Sequence, residues 1–210
     1  MRTWILLVLS IGAQAEIIDR VAISVGSEVI TLSEVKEEVR VTAFLNSEPV
    51  QFTAKILRET GERMVDQLMI RNENVTSRFG SANDSDVTTM IDEIVRSRFQ
   101  GDPTAYQAEL ARYELTESIL KEHVRWQLTA MRYISVRFGT GVQVRPVEVE
   151  DYFKREIQPR LPPDSKATAE DYRERIETAL LEERANQEAD AWIKEARGRM
   201  IVDFDPEVFP

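Results

Sequence analysis

The side chains able to do chemistry are few, and their spacing narrows what they can do. Cysteine is absent and histidine occurs once, as His123. Without thiols there is no disulfide framework, thiolate metal site, cysteine nucleophile or lipid-anchoring cysteine. With one imidazole, a Ser-His-Asp triad and a multi-histidine metal site are nearly excluded. His123 lies beside the Leu120 stripe, aligned with Ile119, Trp126 and Tyr133, where a histidine packed at a bundle edge is the better reading than a ligand or base. Glu182-Glu183 and Glu148-Glu150-Asp151 hold enough carboxylates for acid–base work or a hard cation, yet on helices they read as solvated faces. No EF-hand loop, glycine-rich phosphate loop or nucleophile elbow occurs. Asn74-Val75-Thr76 and Asn83-Asp84-Ser85 match glycosylation sequons, tripeptides frequent by chance. No catalytic residue, metal site or cofactor is expected.

Charge narrows the partners. With 27 Lys and Arg against 37 Asp and Glu, the net charge is −10. Such a chain gains nothing from counterion release on nucleic acid and is repelled by anionic lipid.

The elements that must carry any function begin after residue 15. Arg2, an apolar run from Trp4 to Ile11, and Ala13-Gln14-Ala15 form a signal-peptide pattern. The run is shorter than the about 20 residues a bilayer span needs. An exported chain without stable membrane insertion is expected. Val21, Ile23 and Val25 then share one strand face, Gly26-Ser27-Glu28 turns, and Val29-Ile30-Thr31-Leu32 returns. Thr31-Leu32-Ser33-Glu34 is a capping box opening a helix to Leu45. A long helix follows from Ala54 to Arg78. Another is capped by Asp84 or Ser85 and carries Val87, Ile91 and Phe99. Gly101-Asp102-Pro103 is a stop and a start. Thr116 caps a helix with the stripe Leu120, Val124, Leu128, Met131, Ile134 and Phe138. Val147 to Phe153 begins a short helix, and Pro159, Pro162 and Pro163 stiffen the loop after it. A charged helix from Thr168 to Arg199, on the order of 45 Å long, precedes a strand near 199–204.

A lone terminal strand needs a partner, so 199–205 is expected to close a small sheet with 19–32. The fold class expected is α+β, predominantly helical, with a helical bundle inserted between an N-terminal hairpin and a C-terminal helix and strand. Residues 16–155 form the hairpin and helical core, 156–169 a proline-containing linker, and 170–210 a return onto the core.

This order of elements resembles the SurA-type family of exported folding factors, related in layout to PrsA and PpiD. The resemblance rests on Asp19-Arg20-Val21-Ala22, Val29-Ile30-Thr31-Leu32, Ser33-Glu34-Val35 and Met64 to Ile70. It continues through Asp86 to Phe99, Tyr113 to Phe138, Val144 to Tyr152, Ala189 to Ile193 and Met200 to Asp203. It implies an ATP-independent periplasmic chaperone that binds unfolded polypeptides, with outer-membrane proteins among the clients. The family usually carries a parvulin-type prolyl isomerase domain between the exit helix and the terminal helix. Here that place holds only 156–169, too short for a domain with its own sheet, so isomerase activity is not carried over. Phe44, Phe52, Tyr106 and Tyr113, at helix ends or in loops, read first as core and second as client-binding rings lining an apolar groove. The alternatives are a prolyl isomerase, and a helical adaptor with one fixed partner or a homodimer made by swapping the terminal helix and strand.

Overall fold

The computed structural model describes residues 19–77, 79–139 and 143–209. The signal-peptide pattern at 1–15 lies outside the described residues, as does Arg78. The order is β1 (Val21–Val25), β2 (Glu28–Thr31), α1 (Leu32–Asn46), α2 (Ala54–Ser77), α3 (Asp84–Phe99), α4 (Pro103–Arg112) and α5 (Glu117–Phe138). Then come α6 (Pro146–Tyr152), α7 (Arg173–Gly198) and β3 (Val202–Phe204). This is an α+β fold dominated by helices.

The N-terminal hairpin and the last described strand meet in one antiparallel sheet, ordered β2-β1-β3. Ile23 pairs with Phe204 and Val25 with Val202. Arg20 clamps the junction through Asp205 at 2.9 Å and through Glu207. The hairpin turns at Gly26, whose φ of +59° suits a residue without Cβ. One strand expectation is corrected. The register shifts between Val21 and Ile23, so Ala22 and Ile23 are both buried while Val21 is 43% exposed. A bulge inserts one residue and reverses the alternation before it.

Local chemistry sets the helix starts. Thr31 and Glu34 form the expected capping box, with Thr31 N–H donating to Glu34 at 2.7 Å. Asp102 caps α4 with Pro103 in its first turn, and Thr116 caps α5. The cap of α3 is Asn83, which accepts from Asp86 N–H at 2.8 Å, rather than Asp84 or Ser85. Asp84 instead stands in the first turn, where a carboxylate complements the helix dipole. The terminal helix starts at Arg173 rather than Thr168, because Thr168 folds back onto Asp171 and a tight turn over Glu170–Tyr172 intervenes. At 1.5 Å per residue α7 runs about 39 Å.

Three cores hold these elements. The first packs Ile23, Val25 and Ile30 of the sheet against Val35 of α1, Val65 and Met69 of α2, and Phe209, with Trp192 and Ala196 of α7 at its margin. The second joins the far end of α1 (Val41, Phe44) to α3, α4 and the start of α5. The third gathers Val149, Phe153, Ala169 and Ile176 beneath α6 and the start of α7. The stretch 156–169 therefore contributes packing as well as connection, with Ile157 and Leu161 against this third core.

Candidate functional site

Where α1, α2 and α5 diverge between the first two cores, they leave an open cleft of about 620 Å³. Helical spacing presents one face of each to it. From α1 come Glu34, Glu37, Glu38 and Val41; from α2, Met64, Gln67 and Arg71; from α5, Ile119, Glu122, His123 and Trp126. Each helix thus offers apolar and polar side chains to the same space.

His123 anchors one wall. Its Nδ1 lies 3.1 Å from Glu38 Oε2, and the side chains are only 10% and 14% exposed. The carboxylate can only accept, so the ring N–H donates. Burial pushes the Glu38 carboxyl up, but hydrogen bonds from His123 and Gln67, with the charges of His123 and Arg63, outweigh it and hold the group below its ordinary value. The pair ties α1 to α5 across the cleft. Opposite, the Arg71 guanidinium lies 4.8 Å from the Trp126 ring centroid, a cation–π contact joining α2 to α5.

The far end is closed by the α2–α3 connection. Thr129 Oγ1 accepts from Ala82 N–H at 2.9 Å and donates to the Arg125 carbonyl at 2.7 Å. Arg125 reaches Asp84 at 2.7 Å and Glu122 at 3.4 Å. Beyond them Phe79 meets Tyr133 edge-on, with centroids 5.7 Å apart.

No protein-family model matches the chain, and no curated protein is significantly similar to it in sequence. What the site can do must be argued from its geometry.

The four aromatics considered from sequence do not meet in this cleft. Phe44, Tyr106 and Tyr113 are buried in the second core, where Phe44 packs edge-on to both tyrosines. Tyr113 further donates its hydroxyl to the Glu48 carbonyl at 2.9 Å. Three of the four are therefore structural in this conformation, because α3 and α4 fold over them. Phe52 is exposed, but its ring sits under Arg40 and Lys36, across α1 from the cleft. His123, beside the Leu120 stripe, is largely buried in the cleft wall against Glu38. Met131, expected in that stripe, is 65% exposed, and Thr129 and Tyr133 are buried instead.

Glu37 and Glu122 carry no motif, and Trp126 and Met64 stood out in the sequence only as helix-face residues, not as members of a site. A signal existed in the spacing. Glu34, Glu37, Glu38 and Val41 follow one helical face, and Ile119, Glu122, His123 and Trp126 follow another.

Among the described residues, no group of three or more His, Asp or Glu side chains is placed to hold a metal ion. No described helix is long and apolar enough to cross a membrane.

Proposed function

We propose that this chain is an exported, ATP-independent holdase that binds extended segments of unfolded polypeptide in the cleft between α1, α2 and α5. The observation that carries the reading is the cleft itself: open, walled by three helices, and lined mostly by polar and charged side chains with Met64, Ile119 and Trp126 set among them. A client of unspecified sequence needs apolar contact for its side chains and polar partners for its backbone, and such a lining supplies both. Met64 and Trp126 are suited to that work, one through a pliable side chain and the other through a broad ring. Weak binding at an open cleft also allows release without nucleotide. The resemblance to exported folding factors, and the pairing of the C-terminal strand with the N-terminal hairpin, give further support.

The test is light scattering of an aggregating outer-membrane client mixed with the protein. Suppression at several-fold excess, weakened by Met64→Ala with Trp126→Ala, is the expected result. No suppression would sink the reading. The proposal is of a binding protein rather than a prolyl isomerase, and faster proline-limited refolding in its presence would count against that.

A second reading, an adaptor or strand-exchanged homodimer, is favoured by Ile201. This residue is 84% exposed beside the short edge strand β3. An exposed edge with an apolar neighbour invites strand pairing. A concentration-dependent dimer in size-exclusion chromatography, with no response to unfolded peptide, would select it.

A further inference from the structure

The charges around the cleft are unbalanced. Glu34, Glu37, Glu38 and Glu122 face Arg71 and Arg125. Arg125 is already held by Asp84 and Glu122, and Glu38 by His123. Glu37 is exposed and makes no ion pair among the described residues. Arg71 is exposed too, and among the described residues it rests on the Trp126 ring rather than on a carboxylate. The cleft therefore displays carboxylates in excess beside an aromatic face that already accepts a guanidinium.

We infer that the cleft selects polypeptide segments in which arginine adjoins apolar residues. This rests on the holdase reading and names the client chemistry it would favour. An incoming guanidinium can take the place of Arg71 on Trp126, so the stacking that is lost is regained. Unlike Arg71, it arrives with a flexible backbone that lets further arginines reach Glu37 and Glu122. Arginine suits this better than lysine because its planar, weakly hydrated head stacks on rings and pairs with carboxylates in two-point geometry. A segment rich in glutamate meets the same carboxylates as like charges and is disfavoured. Apolar neighbours of the arginine would rest on Met64 and Ile119.

The test uses fluorescein-labelled peptides of one apolar sequence carrying arginine, glutamine or glutamate at the same positions, titrated with the full chain and followed by anisotropy. The arginine peptide should bind on the order of tenfold more tightly than the glutamine peptide, the scale expected of a few exposed ion pairs. The glutamate peptide should bind most weakly. Glu37→Gln with Glu122→Gln should bring the arginine and glutamine peptides within about twofold of each other. Both positions are exposed, and circular dichroism would verify that the variant folds. Molar salt, where screening acts within about 3 Å, should erase the same preference.

Equal binding of arginine and glutamine peptides, or a preference that survives the double variant, overturns the selectivity and leaves the holdase reading standing. Failure of all three peptides to bind overturns the holdase reading itself.

Discussion

At the scale of single residues, two carboxylates held below their ordinary values make separate predictions. Glu38 is held below its ordinary value of 4.5, although burial alone would raise it, because His123, Gln67 and Arg63 favour the charged form. A depressed folded-state value contributes stability that is complete above the unfolded value and is lost as pH falls through the folded one. Thermal melts from pH 6 downward should therefore show Glu38→Gln losing less stability than the parent chain between about pH 4.5 and the depressed value. A parallel acid decline in the two proteins would remove the pair from the account. Glu148 lies on α6, where Arg145 side-chain and backbone groups, and Arg184 across on α7, bring its carboxyl down to about 2. Its link between α6 and α7 should hold above pH 4.5 and fail only as pH falls through about 2. Pepsin should thus cut the 143–172 lobe of Arg184→Gln at a higher pH than that of the parent chain. Identical cleavage profiles would show the link to be idle.

Helices and strands pose questions of caps and crossings. Asn83 caps α3, so Asn83→Ala should cost about 1 kcal/mol, the usual loss for removing a side-chain cap. Asp84→Ala should cost less, because Asp84 is almost wholly exposed and its bridge to Arg125 is a surface pair. Urea denaturation of the two variants ranks them directly, and the reverse order would reinstate Asp84 as the cap. The crossing of α2 over the sheet depends on Gly61. A Cβ there would stand 2.8 Å from Ile23 Cδ1 and 3.4 Å from both the Phe204 and Phe209 rings. Alanine can be met by a turn of the Ile23 side chain, and it gains helix propensity. Leucine cannot be accommodated so simply. Gly61→Leu should destabilise by about 1–3 kcal/mol, as overpacked cores do, measured by the shift of the urea midpoint. A stability equal to the parent's would mean that the sheet and α2 can separate without loss.

For the whole molecule, the governing feature is the return of the C-terminal strand to the N-terminal hairpin. Phe209 is buried against Phe204, with ring centroids 5.2 Å apart, and Arg58 lies over the Phe204 ring. Phe209→Ala should cost about 3 kcal/mol, at the lower end for removing a core phenylalanine. The loss should appear in the single global transition, because the first core joins the sheet to α1, α2 and α7. A separate early transition, with the helical body still folded, would show the sheet to be an appendage.

Much of this architecture was legible in the residues alone. The hairpin, the Thr31–Glu34 box, the Asp102-Pro103 start and the closing strand follow from local rules: alternation, capping and turn chemistry act between near neighbours in the chain. The need of a lone strand for a partner even placed β3 beside the hairpin. The bulge at Ala22 escaped because it depends on pairing across strands rather than on the strand's own pattern. Met131 escaped because the stripe of α5 is set by which neighbours cover it, and these change along its length from α3 to α7. The cleft was hidden for the same reason. On α1, α2 and α5 its residues look like three ordinary solvated faces, and Phe44, Tyr106 and Tyr113 look as available as Trp126. Only helix packing buries the first three and brings Glu38, Arg71 and Trp126 around one space, because which faces meet depends on contacts between residues dozens of positions apart. Composition and local pattern determined the elements and their acidic character; the tertiary structure decided which side chains became core and which became a surface able to bind.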